Sequence, residues 1–210
     1  MTGVFLTFIR TRGIPRDLEL MSKTRCCIAI LLFCFAAFGE QNGRFAVLKE
    51  QGFVLFERGQ YKEMAGKLEE VWENDQSDPK VAEYLAMGYL YGEKSASKAE
   101  PVMLIALDKG GQATFLMQHS HERALTSSGV MNNYCSGKMI VHKGKLSFVA
   151  DKGEHSFEFS ASEASGLKPL GGSPGRFQFQ QERKNVVFRV KTETRDEVDL
   201  FGRVLKQALK

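Results

Sequence analysis

His119-Ser120-His121 is the spacing in this chain with the form of a metal site, because residues two apart on a strand share a face and could offer two imidazoles to one ion. His142, His155 and Cys135 are the further ligands on offer, but none stands at a fixed spacing from the pair, and Glu122 would point to the opposite face. Polar histidines at a strand end are the simpler reading. Cys135 beside a histidine has the parts of a nucleophilic pair with nothing to orient them, and a lone cysteine opening a strand reads as a small buried hydrophobe. Between Gly166 and Gly175 the chain is glycine-rich, yet no Lys-Ser/Thr follows, so this is a flexible hairpin connection and not a phosphate loop. A hydrolase nucleophile motif is missing as well. The expectation is therefore a non-enzymatic protein with no catalytic residue, no resident metal and no cofactor.

The elements that would position such residues begin after a leader. Lys23 and Arg25 precede an apolar run of 13 residues, Cys26 to Phe38, and Ala37-x-Gly39 supplies small residues for cleavage. A membrane span needs about 20 apolar residues, so residues 21–39 read as a signal peptide and the functional chain as starting near Glu40. That predicts an exported protein, periplasmic or secreted, with membrane contact only if the signal stays uncleaved. Residues 1–20 read as an upstream extension, with Met21 as a second start. Without residues 1–39 only Cys135 is left of four cysteines, which excludes an internal disulfide framework.

The same removal lowers the net charge from +4 to 24 − 23 = +1, so charge gives no support to nucleic-acid binding. What remains is uneven: nine basic and 13 acidic residues over 40–111, then 15 basic and ten acidic over 112–210. That step places a domain boundary at 111/112. Two solvated surfaces are the plain reading; halves that attract each other, or a second half that meets an acidic partner, are the sharper one.

Residues 40–111 have a helical period. Phe45, Leu48, Phe53 or Leu55 and Phe56 form one apolar stripe, and Met64, Leu68, Val71 and Trp72 form the next, with a turn at Gly59-Gln60-Tyr61. Pro79 opens a third helix through Tyr84, Leu85, Gly88, Tyr89 and Tyr91, and a fourth runs from about Ser97 to Asp108. Gly59, Tyr61 and Glu63, with Leu68 and Val71, and then Gly88, Tyr91 and Ala99 resemble the tetratricopeptide repeat pattern; Met64 and Pro101 depart from it. That resemblance implies a docking surface for peptides or proteins. About two units are visible where about three make a self-supporting solenoid, so the helices are expected to lean on the second half.

After Gly110-Gly111 the period becomes two. Strands are expected at 113–119, 136–142, 145–149, 155–159, near 167–170, at 176–180 and at 186–190, with a tight turn at Lys143-Gly144 and a long loop from Ala124 to Tyr134. Thr194-x-x-Glu197 has the form of a capping box, followed by a stripe of Val198, Phe201, Leu205, Ala208 and Leu209. Seven strands closed by one helix resemble the pleckstrin-homology fold, and Cys135-Ser136-Gly137-Lys138 and Gly144 to Phe148 look similar to such domains in exported bacterial proteins of unassigned role. The fold class expected is α+β, a short tetratricopeptide-like array followed by a seven-stranded antiparallel barrel with a C-terminal capping helix. Arg123 and Lys138 are the cations around the first loop, too sparse for the lysine-rich phosphoinositide pattern, so that ligand is disfavoured.

The function expected is a protein-interaction or scaffold module of a bacterial envelope, docking a protein or peptide by an edge strand or groove. Its contact residues are Tyr61, Tyr84 and Tyr91 on the array and Arg176, Arg183, Lys184 and Arg189 on the barrel. The alternative is a small-ligand or metal-binding protein using the His119/His121 strand.

Overall fold

The computed structural model describes residues 43–120, 124–126, 129–131, 134–152, 155–170, 175–182 and 186–209. The signal-like segment 21–39, the extension 1–20, His121, Glu122, Arg123, Arg183 and Lys184 lie outside the described residues. Phe45–Lys210 makes one compact unit, so the helices and the sheet belong together across the expected 111/112 boundary.

Four helices come first: α1 (residues 43–57), α2 (Tyr61–Asn74), α3 (Pro79–Met87) and α4 (Ala96–Asp108). Their ends follow local chemistry. Gly59 takes φ +69°, which permits the reversal into α2. The Asp78 carboxylate accepts the N–H groups of Lys80 and Val81 with Pro79 in the first turn, and the Ser95 hydroxyl accepts from Lys98 N. Met64, Leu68, Val71 and Trp72 are buried on α2 and Val81, Leu85 and Met87 on α3, as their spacing requires. A Cβ on Gly88 would lie 2.8 Å from Ala65 Cβ, so that glycine lets the next turn approach α2 closely.

The third helix differs from expectation at its end. Gly88–Gly92 forms a π-helical turn, with Glu93 N bonded to Gly88 O at 3.2 Å. One extra residue in the turn aims Tyr89 and Tyr91 at different neighbours. The Tyr89 hydroxyl donates to Glu69 Oε1 of α2 at 2.8 Å, and the Tyr91 hydroxyl accepts the Leu116 N–H at 2.6 Å.

Seven strands form one antiparallel sheet: β1 (Gln112–Ser120), β4 (Tyr134–His142), β5 (Lys145–Ala150), β6 (Phe157–Ser160), β7 (Ala164–Pro169), β8 (Arg176–Gln181) and β9 (Val186–Lys191), in the order β6-β5-β4-β1-β9-β8-β7. The helix α5 (Arg195–Ala208) ends the chain. Strand number, direction and closing helix are those expected. The segment read as a long loop is not all loop: β2 (Ala124–Thr126) and β3 (Gly129–Met131) pair as a separate small hairpin. Edge strand β6 nonetheless meets the far side of the sheet, since the Phe157 and Phe188 rings are 4.1 Å apart, so the sheet bends over on itself.

At the start of α5 Glu197 N donates to Thr194 Oγ1, as in a capping box, and the Glu197 carboxylate reaches back to accept from Glu193 N, the residue before the cap. Val198, Leu200, Phe201, Val204, Leu205 and Ala208 are buried behind it, while Leu209, expected on the stripe, is exposed because the helix ends one residue earlier. Phe115, Phe177 and Phe179 surround Phe201 at ring distances of 5.5, 5.5 and 6.3 Å.

Buried strand residues alternate, so β1 sends Phe115 and Met117 into this core and Thr114 and Leu116 towards the helices. Glu83 of α3 fastens the two layers, accepting from Thr114 Oγ1 at 2.6 Å and Gln112 Nε2 at 2.8 Å. Burial raises its carboxyl above the usual 4.5, and the two hydrogen bonds oppose that rise. The folded protein therefore holds this proton more tightly than the unfolded chain does. Its contribution to stability is full below the unfolded value and is lost as pH rises through the raised one. Glu83→Gln keeps an oxygen for both donors and removes the titration. Urea midpoints taken from about pH 4 to about pH 8 are expected to fall less with rising pH in the variant than in the native chain. Equal slopes would show that Glu83 titrates alike in both states.

Candidate functional site

Strands β1 and β9 pair only at Gln118 with Lys191 and His119 with Val190. Towards the start of β1 they part, and Tyr91 fills the gap by accepting the Leu116 N–H that no strand takes. Burial pushes its hydroxyl pKa well up, the carboxylate of Glu197 adding to the effect, so it stays a neutral hydroxyl. Over this gap lies a groove of about 870 Å³. One wall is the turn joining α1 to α2, with Phe56, Glu57, Arg58, Gly59 and Tyr61. The other is the outward side of β1, β4 and β9, with Leu116, Gln118, Ser136, Lys138 and Lys191. Asp151, Thr192 and Glu193 close the rim.

Aromatic rings run along the helical wall. Tyr84 stacks on Phe56 at 4.5 Å, Phe56 meets Tyr61 at 6.2 Å, and Tyr61 meets Tyr91 at 5.6 Å. Lys138 of β4 lies with Nζ 4.7 Å from the Phe56 ring centre, a cation over an aromatic face that ties the two walls. Burial, then Asp151 and Glu57, raise the Tyr61 hydroxyl above its ordinary pKa, so it too offers a neutral donor. Glu193 is held by Lys94 at 2.5 Å, an exposed pair worth little by itself.

Of the expected contact residues, Tyr61 and Tyr91 line the groove together, but Tyr91 is only 7% exposed and acts as its back wall, not as a surface contact. Tyr84 is half-buried one ring away, between Phe53 and Phe56. Arg176 and Arg189 alternate with the buried Phe177, Phe188 and Val190, which puts both on the outward face. There Arg176 stands directly opposite Lys191, and Arg189 is two residues along from it. Lys168 of β7 is exposed and opposite Gln178 on the same face. The outward residues described on β8 and β9 include no carboxylate, so a cationic face runs into the groove through Lys191. Lys191 has no role in the sequence reading, and Lys138 enters it only as one of two sparse cations around the first loop. Strand alternation marks both as outward, but which outward face the helices cover is not a local property.

The histidine strand is placed otherwise. His119 turns inward opposite Cys135, with the Phe148, Phe157 and Phe188 rings at 5.6, 5.6 and 5.9 Å. Burial raises the Cys135 thiol pKa, against activation as a nucleophile. His142 is at the opposite end of β4, with Nε2 3.2 Å from Gly110 O. Among the described residues no group of three His, Cys, Asp or Glu side chains could hold a metal. Nor is any helix among them long and apolar enough to cross a membrane.

No family model and no curated protein matches the chain. Among solved structures it is similar to the N-terminal PH domain of human ARAP2, at 14% identity over 48% of this chain and 81% of that one, with a TM-score of 0.37. It is also similar to the PH domain of human oxysterol binding protein-related protein 11, at 10% identity over 47% of this chain and 81% of the other, TM-score 0.34. A third likeness is to the pleckstrin homology domain of ArhGAP27, at 8% identity over 47% and 99%, TM-score 0.34.

Proposed function

We propose that this chain is a non-enzymatic docking module which holds an acidic segment of a protein partner along the groove and its adjoining cationic face. One observation carries the reading: Lys191 lines the groove and also stands opposite Arg176, two residues along its strand from Arg189, with no carboxylate among the outward residues described on β8 and β9. Like charges directly opposite on a sheet are destabilising, and an anionic ligand relieves that repulsion. The aromatic wall gives such a segment an apolar side-chain contact, and Tyr61 a neutral hydroxyl. A tetratricopeptide-like character of the helices is part of the proposal, supported by the close approach of Gly88 to Ala65. So are a pleckstrin-homology-like layout for the sheet and α5, and export into a bacterial envelope. Export rests on the Met21 to Glu40 pattern alone, and a chain recovered in the cytoplasmic fraction with residues 21–39 still attached would remove it.

The test is fluorescence anisotropy with labelled decapeptides, acidic and basic, each carrying one tyrosine. The acidic peptide is expected to bind more weakly as salt rises, and Arg176→Glu with Arg189→Glu and Lys191→Glu to weaken it about a hundredfold or more. Equal binding of both peptides, or an unchanged affinity in the triple variant, would sink the proposal. Phosphatidylserine vesicles that bind where no peptide does would turn the cationic face towards a lipid surface instead.

A further inference from the structure

Helix α1 has a second face, turned away from the core. Ala46, Val47, Gln51, Val54 and Leu55 line an apolar concavity of about 590 Å³. Val47 is 55% and Val54 47% exposed, two of five large apolar side chains left open among the described residues. Residues 47, 51 and 54 follow the i, i+4, i+7 spacing of a helix-pairing seam. The charges along α1 are ordered: Glu50 lies one turn before Val54, and Arg58, in the turn just past the helix, lies four residues after it, while Glu63 and Lys67 of α2 border the same concavity as one acid and one base. Among the described residues neither Glu50 nor Arg58 is in an ion pair.

An acid and a base at equal distances on either side of an apolar centre are self-complementary under a two-fold axis. We propose that α1 is an antiparallel homodimer interface: two copies cross at Val54, with Glu50 of each facing Arg58 of the other. Charge order selects a second copy as the occupant, because each carboxylate then meets a guanidinium and each valine a valine. This does not rest on the peptide groove, although Arg58 borders both surfaces. A single helix face buries less than the roughly 1,200 Å² total of a standard stable interface, so a dimer dissociating at about micromolar concentration is expected.

Sedimentation velocity of the full chain from about 1 to about 200 µM reads the association directly. The native chain is expected to shift from monomer to dimer over that range, and Val54→Arg to stay monomeric with an unchanged circular dichroism spectrum. Glu50→Arg and Arg58→Glu should each raise the dissociation constant about tenfold, and the double variant should return it to within about threefold of native. A chain monomeric throughout, an oligomer that persists in Val54→Arg, or a double variant no tighter than the singles would overturn the proposal.

Discussion

Phe201→Ala is expected to cost the fold about 3–5 kcal/mol, measured as the loss of unfolding free energy in urea. Phe201 is fully buried on α5, and its ring meets Phe115 of β1 edge-on and Phe177 and Phe179 of β8 at an angle. Removing it forfeits the transfer energy of the ring, leaves a cavity that three phenyl groups cannot collapse to fill, and loses aromatic pairs worth about 0.5–1.5 kcal/mol each beyond their area. Against a typical total of about 5–15 kcal/mol, that is a large fraction of the stability. Phe201→Leu keeps most of the volume and should cost clearly less. A loss below about 1 kcal/mol for alanine would mean that α5 does not close the bent sheet.

Gly92→Ala should act on both the fold and the groove. A Cβ at this position would lie 2.6 Å from Lys62 Cα and 2.7 Å from the Tyr61 carbonyl carbon, backbone atoms at the start of α2 that cannot turn away. The π-helical turn must move off α2, at about 1–3 kcal/mol of overpacking cost. Tyr91 is the residue before it, so the hydroxyl that takes the Leu116 N–H moves too. The outcome expected is a lower urea midpoint together with weaker binding of the acidic peptide. Gly66→Ala, on the open side of α2 with nothing within 4 Å, is the control and should stabilise by about 0.5–1 kcal/mol. A Gly92→Ala protein that unfolds and binds as the native chain does would show that the turn has room to spare.

The elements were legible where their causes are local. Asp78 and Pro79 start α3 because a carboxylate and a preset φ lie next to each other in the chain, and Thr194 and Glu197 cap α5 for the same kind of reason. Gly144, at φ +78°, turns β4 into β5. The β2/β3 hairpin escaped because two runs of three residues are too short for a period of two to show. Tyr84 and Tyr91 stand on one aromatic pattern in the sequence, yet one stacks between phenylalanines and the other backs the groove. The extra residue of a π-helical turn made that difference, and helical spacing does not reveal it.

The sequence by itself determined the long helices and the seven strands of the main sheet, the starts of α3 and α5, and that Arg176 and Arg189 leave the core, since each follows from neighbours a few residues away. Tertiary structure alone decided that β1 and β9 part beside Leu116, that Tyr91 occupies the gap, and that Lys138 comes to rest over Phe56. Those contacts join residues 25 or more positions apart, and they form only when the packing of Glu83 on Thr114 brings the helical layer onto the outward side of the sheet.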